Sequence, residues 1–538
     1  MRDLIRHFFE RFFDKEALSP QGEPEANLIQ TLGFLAVPGA FVALLLQPLA
    51  FRGWDLVGIR CVFVSFSMVV MGFLVVFEWD ALFPDRRDYQ VLTPLPVSLL
   101  TLFLAKAAAF GVFLSVFLVD INFFSTLLWA GVDNGKGLWA IMGAHLATVA
   151  ASGLFAALSM AAVQGVLITL LPAAAFRRVS VWVQTGLMGA LVMLLFLSPL
   201  LAMALRGLVN AHSPWLYAYP PYWFAGFYER LRPAASSSGL RGLGGIALWG
   251  LAGAGALFAL TYLPGYRRHA RKLLEAPQPS PSGPGRGHRA VAQWIDRHVL
   301  RRPVQMAVFH FLNQTITRSM KHRLFLATYG GCGAALAVLT FRSRNLGLLM
   351  LPLTLSFILI SALRAAFSFP SELGANWAFQ VSECRHARDC LAAMRKWVLV
   401  CALGPLFALQ AAMEFTCFPW TAALFHLAFG IAMAMVLMEV MFLGFRKVPF
   451  TCSYLPGKVN LVFLAVIYVL GFTVYSGTMA SLELQLERRP VAAICFLAAA
   501  TAVAALLALW RGRQLQAESR LEYQDLGDPV VRTLELSA

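Results

Sequence analysis

Residues 78–97 read Glu78-Trp79-Asp80-Ala81-Leu82-Phe83-Pro84-Asp85-Arg86-Arg87-Asp88-Tyr89-Gln90-Val91-Leu92-Thr93-Pro94-Leu95-Pro96-Val97, a polar stretch between two apolar runs, 57–77 and 98–127. Each flanking run is long enough to cross a bilayer. The charges of Asp85 to Asp88 are too dense for hydrocarbon, so the stretch is a loop at a membrane face. Pro84, Pro94 and Pro96 break any regular helix through it, and the spacing predicts a short helix near 81–92 that lies beside the membrane.

The whole composition agrees with that reading. Of 538 residues, 59% are hydrophobic and only 13% charged, and the mean hydropathy is +0.67, which excludes a soluble multidomain protein. A net charge of +16 does not point to nucleic acid, because the basic residues fall in short clusters between apolar runs, where they set orientation. Most of the eight cysteines lie inside apolar runs and imply no disulfide framework. Cys384, His386 and Cys390 share one loop but lack the fourth ligand and paired spacings of a zinc site.

Apolar runs of spanning length fall near 32–50, 57–77, 98–127, 139–171, 179–206 and 244–263, then near 324–341, 345–368, 397–415, 420–445, 459–478 and 491–510. The fold expected is an all-α polytopic membrane protein of about twelve spans. Residues 264–302, basic and then rich in Pro, Gly and Ser, read as a linker between a first half, 1–263, and a second, 303–510, with a polar tail at 511–538. An amphipathic stripe opens each half: Leu4, Ile5, Phe8, Phe9, Phe12 and Phe13 in the first, and Val304, Val308, Phe311, Leu312 and Ile316 in the second. The first stripe reads as a helix in the headgroup region, with two Phe pairs turned toward lipid.

Two local matches hold the same place in the order of each half. Phe83-Pro84 corresponds to Phe369-Pro370, each opening a charged loop that ends in Lys106 or Lys396. Phe176-Arg177-Arg178-Val179 corresponds to Phe445-Arg446-Lys447-Val448. A repeat of six spans returns the chain to its starting side, so the repeats are parallel, and both termini and the linker are expected in the cytosol of a multi-pass cytoplasmic-membrane protein. Most of the 44 Lys and Arg residues fall in the segments this topology places inside.

The opening stretch resembles the cytoplasmic coupling region of type-2 ATP-binding-cassette exporter permeases. That family carries a charged D-x-x-D, a hydrophobic pair, L-P-V/I and A-K; here these read Asp85-Arg86-Arg87-Asp88, Val91-Leu92, Leu95-Pro96-Val97 and Ala105-Lys106. The resemblance implies a permease subunit that moves a substrate, unidentified here, with separate ATPase subunits docked on its cytosolic loops. Asp85, Arg86, Arg87 and Asp88 would contact the ATPase and Val91 and Leu92 anchor the coupling helix, with Glu372 and Arg385 in the second loop. Most such permeases have one six-span unit and dimerise, whereas this chain reads as a fused pair. The second loop lacks L-P-V, which implies a weaker coupling role there. Short re-entrant helices precede the last span in that family, so Tyr219, Tyr222 and Trp223, in the aromatic segment between Asn210 and Arg241, become candidates for an outer gate.

No G-x-x-x-x-G-K-[ST] loop is present to cradle phosphate, and no H-E-x-x-H or G-x-S-x-G, so the chain is expected to be neither an enzyme nor a holder of a cofactor. A membrane enzyme using Asp85 and Asp88 to hold Mg²⁺ against a lipid phosphate is the alternative, and a secondary transporter, needing ionisable residues inside the membrane, is a third. Lys106 and Arg364, near span ends, are expected to snorkel, and Glu439 to pair with Arg446. His145 and His426 each sit early in the fourth span of their half, without further assignment.

Overall fold

The computed structural model describes residues 1–13, 27–51, 55–79, 98–129, 137–232, 238–275, 286–300, 302–342, 344–371, 387–451 and 461–517. All regular structure among them is helical. Ten helices are long and apolar enough to cross a membrane, and they leave large apolar side chains on the outside, such as Trp182, 77% exposed, and Trp249, 81% exposed. A water-soluble surface does not carry rings in that number, so the chain is a multi-pass membrane protein. It divides into two compact units, Met1–Ser280 and Pro281–Ala538.

The first unit contains α1 (Arg2–Phe13), α2 (Asn27–Phe51), α3 (Leu56–Phe77), α4 (Leu99–Trp129), α5 (Leu138–Leu170), α6 (Ala173–Asn210), α7 (Trp215–Ala218), α8 (Pro220–Leu231) and α9 (Ser238–Glu275). Their ends follow local chemistry. Asp55 caps α3 by accepting from the Val57 amide at 3.2 Å, and the same carboxylate takes Arg206 of α6 at 2.6 Å. Pro172 closes α5 and opens α6 at once, because its ring cannot continue one helix yet suits the start of the next. Central to the unit is α3, most of it buried, packed on α5, α6 and α8; α5 in turn packs on α9, and α2 on α4. Phe103, Phe110, Phe113 and Phe117 form a run of buried rings along α4.

In the second unit α10 (Arg286–His298) and α11 (Pro303–Arg318) precede α12 (Met320–Arg342) and α13 (Arg344–Ala366). Then α14 (Ala387–Trp397) passes through a π-helical turn, Val398–Leu403, into α15 (Gly404–Cys417), and α16 (Trp420–Met441) follows. The continuous rod of α17 (Leu461–Thr473), a second π turn, Val474–Thr478, and α18 (Met479–Glu487) leads to α19 (Pro490–Ala517). Here α13 is the central element, packed on α12, α16 and α18, while α16 packs on α19.

Several expectations change. Pro264 does not end the last helix of the first unit, which runs on to Glu275 through residues that favour helix, and α10 occupies part of the expected linker. Residues 480–487, expected as loop, continue the preceding rod as α18. The stripe of α1 is not given over to lipid: Phe8 is 2% exposed and belongs to the core formed with α4.

Candidate functional site

Asp85, Arg86, Arg87, Asp88, Val91 and Leu92 lie outside the described residues, as do Glu372, Arg385, Cys384 and His386. What the structure shows is how the loops that carry them are rooted. In the first unit the C-terminal end of α3 leaves carbonyls that no helical partner can satisfy. Gln184 of α6 donates to Val76 O at 2.7 Å, and Gln164 of α5 donates to Trp79 O while accepting from the Tyr262 hydroxyl at 3.2 Å. Trp79, 1% exposed, donates from its indole to Ser180 Oγ at 2.7 Å. The loop therefore leaves from a ring clamped by the fourth, fifth and sixth long helices.

The second unit roots its loop with different chemistry at the same place in the order. The Phe450 amide donates to Phe367 O at 3.1 Å, and the Ser371 amide donates back to Phe450 O at 3.0 Å. His322 Nε2 donates to Phe369 O at 3.1 Å, with Ser319 against its Nδ1 at 2.7 Å. Phe450 takes a left-handed backbone, φ 68°, which costs a β-carbon-bearing residue on the order of 1–3 kcal/mol and persists because its ring is wedged between His322, Phe367 and Phe311. In each unit the clamp includes the segment that follows the Phe-basic-basic-Val motif: Ser180 after Phe176, Phe450 after Phe445.

The lysine that closes each charged loop holds an amphipathic helix. Lys106 is 4% exposed, so it does not snorkel; its ammonium lies 5.1 Å over the ring of Phe8, because α1 covers it. Lys396 donates to Val299 O at 2.8 Å and Gln305 Oε1 at 2.7 Å. Gln305 donates in turn to Asp389 at 2.9 Å, whose two oxygens both accept from Arg302 at 2.9 Å. Arg364 likewise stays inside, over the Phe445 ring at 4.7 Å and donating to Met441 O at 3.1 Å. The carboxylate of Glu439, expected to pair with Arg446, meets Arg395 at 2.6 Å and Arg511 at 3.5 Å. Cys390 is fully buried, and no group of three His, Cys, Asp or Glu among the described residues converges to hold a metal.

At the other end of the first unit the aromatic segment forms α7 and α8, and α8 lies against α3, α5 and α9. Tyr219 and Tyr222, edge to face at 4.7 Å, are both buried: Tyr219 O–H meets Ser65 Oγ at 2.9 Å, and Tyr222 donates to Leu201 O at 2.6 Å. Burial pushes both phenols above their ordinary range, so each remains a protonated donor. Trp223 is half-buried against Phe155. An ion pair that the sequence does not announce ties the segment down: Glu229 of α8 meets Arg60 of α3 at 2.8 Å, with Arg60 stacked 4.0 Å over Tyr228. The signal in the sequence is an acid directly after two aromatic residues, Phe227-Tyr228-Glu229. α8 can approach α9 closely only because Gly226 meets Leu240 O where a β-carbon would go.

His145 and His426 have unlike surroundings. His145 sits among Ser125 at 3.2 Å, Phe63 and Trp129, whereas His426 is flanked by Glu483 and Glu414. Glu414 and Glu483 were hidden in runs read as span and loop. No protein-family model, curated protein or solved structure matches the chain.

Proposed function

We propose that the chain is the membrane-spanning permease of an ATP-driven exporter, built as two parallel six-span repeats, with separate ATPase subunits bound at the loops that follow α3 and α13. The observation that carries this reading is the clamped root of each loop at the same position in the helix order. A segment that passes a partner's movement into a bundle must not hinge where it joins, and Trp79 with Ser180, Gln164 and Gln184, or Phe450 with His322, prevents such a hinge. The repeat draws further support from shared packing. The second long helix of each unit lies on the fourth, the fourth on the sixth, and an amphipathic helix sits on the helix that carries Lys106 or Lys396.

On this reading both termini are cytosolic in a cytoplasmic membrane, Tyr219, Tyr222 and Trp223 belong to an outer gate, and the chain alone hydrolyses no ATP. The double substitution Asp85→Ala with Asp88→Ala tests it: co-purification with the ATPase and transport should both fall while membrane insertion survives. Normal association and transport would remove the coupling role. Recovery of activity with excess Mg²⁺ would favour the metal-dependent lipid-phosphate enzyme. Glu372→Ala with Arg385→Ala should cost less, because the second loop lacks the L-P-V element.

A second reading, a secondary transporter, gains one specific observation, the buried acids Glu414 and Glu483 around His426. Transport by the chain alone in liposomes, driven by an ion gradient without ATPase, would select it.

A further inference from the structure

The ends of α15, α16 and α18 enclose side chains that the coupling reading leaves without a task. His426 lies in the second turn of α16 and is 3% exposed. Its Nδ1 is 2.6 Å from Glu483 Oε1 and its Nε2 is 3.7 Å from Glu414 Oε1, so one imidazole stands between carboxylates from two other helices. Both carboxylates are nearly fully buried, each residue being 1% exposed. One turn before Glu414, on the same face of α15, Gln410 is 3% exposed, and neither atom of its amide has a partner. Both oxygens of Glu414 and Oε2 of Glu483 also lack a hydrogen bond.

Among the described side chains none brings a positive charge to the group. From α13 the described contact is the Leu348 backbone, from α18 comes a further acid, Glu487, and from the turn after α15 the Phe418 ring, edge-on at 5.9 Å; α19, also packed on α16, adds no described charged group here. With the imidazole charged and both carboxylates ionised, one negative charge would remain uncompensated away from water. Among the described residues no group of three His, Cys, Asp or Glu is placed to hold a metal ion that would resolve this. One more proton does: it neutralises the group and turns an oxygen of Glu414 into the donor that the idle Gln410 carbonyl lacks. Both acids also ride on helical segments that follow π turns, Val398–Leu403 before Glu414 and Val474–Thr478 before Glu483. A π turn holds one residue more than the α-helix around it, so its loss would swing the downstream side chains around the axis and out of the group.

We propose that Glu414, His426 and Glu483 form a proton-binding site in the second unit, in which the imidazole and one carboxyl are protonated together and the Gln410 carbonyl accepts a hydrogen bond from the carboxyl O–H. Binding takes a proton from hydronium to make the carboxyl O–H, and release returns it to water, with no other bond changed. The site is independent of the exporter reading and is compatible with either transport mechanism.

Infrared difference spectroscopy of the full chain in lipid nanodiscs, across a pH titration in H₂O and D₂O, tests it. A carbonyl band of a buried, exchangeable carboxylic acid should be present at neutral pH. That band should be lost or shifted in Glu414→Gln and in Glu483→Gln, and unchanged in Glu487→Gln, whose side chain is exposed. Absence of the band wherever the protein is folded overturns the proposal, as does its survival in both variants. Appearance of the band only after sodium and potassium are removed would assign the site to a metal cation and equally overturn it. If Glu414→Gln does not fold, the wild-type spectrum and Glu483→Gln still decide.

Discussion

Each unit places a buried acid on the segment that precedes its last long helix, and the two acids are treated differently. In the first unit Glu229 faces Arg60, whose guanidinium also lies flat on Tyr228, so the charges match and the pair is closed to water. In the second unit Glu483 faces a histidine that must also answer Glu414. The contrast separates two uses of one position. A fixed cation makes the pre-final segment of the first unit a strut, whereas an imidazole leaves that of the second unit responsive to protons.

Removing the fixed pair should therefore produce the largest effect. Glu229→Ala leaves the Arg60 guanidinium buried with its main counter-charge gone, a loss expected to cost about 3–5 kcal/mol. Thermal unfolding in detergent should show the variant strongly destabilised at every pH where the protein folds. Glu483→Gln removes an acid from an acid-rich group and should cost far less. If the two variants unfold alike, the distinction between strut and sensor fails.

Next in size is the close crossing of α8 on α9. A side chain at Gly226 would meet the Leu240 carbonyl and the Leu243 side chain, and one at Gly244 would meet the Gly226 backbone at 2.8 Å. Gly226→Val should cost about 1–3 kcal/mol by overpacking and should displace Tyr219 and Tyr222 from Ser65 and Leu201. Increased tyrosine and tryptophan accessibility to a collisional quencher, with the second unit's behaviour unchanged, is the expected signature.

The helices themselves were legible in the sequence because a membrane demands long apolar runs. The run 139–171 became Leu138–Leu170, and Pro172 marks its end. The same continuity concealed the polar features inside those runs. Gln410 and Glu414 fall within 397–415, and their four-residue spacing is informative only once α15 is known to face α16 and α18. Glu483 falls outside the expected spans because Met479–Glu487 is polar enough to resemble a loop, although the rod from Leu461 carries straight into it. Lys106 and Arg364 depart from the expected snorkelling for a shared reason. Snorkelling assumes lipid on one side and water within reach, and here α1 and the Phe445 ring cover the side chains instead.

A smaller effect tests the clamped loop roots. Gln184→Leu deprives Val76 O of its donor and should cost about 1–3 kcal/mol, the usual range for a buried polar group left unpaired. Its diagnostic consequence is functional: if the root passes force, transport should fall while ATPase association is retained. Loss of association together with transport would show that the loop, not its root, had been disturbed.

The smallest expected effect compares the two lysines under their amphipathic helices. Lys106 meets Phe8 through a cation–π contact, worth about 0.5–2 kcal/mol depending on desolvation, and it lies under a helix that brings four apolar side chains, Leu4, Ile5, Phe8 and Phe9, to the same core. Lys106→Met keeps the stem and its apolar burial, so α1 should stay docked and gain only modestly in amide exchange. Lys396 instead joins a polar chain, from Val299 O and Gln305 to Asp389 and Arg302, in which each member satisfies the next. Lys396→Met leaves Gln305 Oε1 and Val299 O without their donor, and the loss should spread along the start of α11. Hydrogen exchange of residues 303–312 should therefore rise more in Lys396→Met than that of residues 2–9 rises in Lys106→Met. The reverse order would mean that α1 is held by its charge and not by its stripe of apolar side chains.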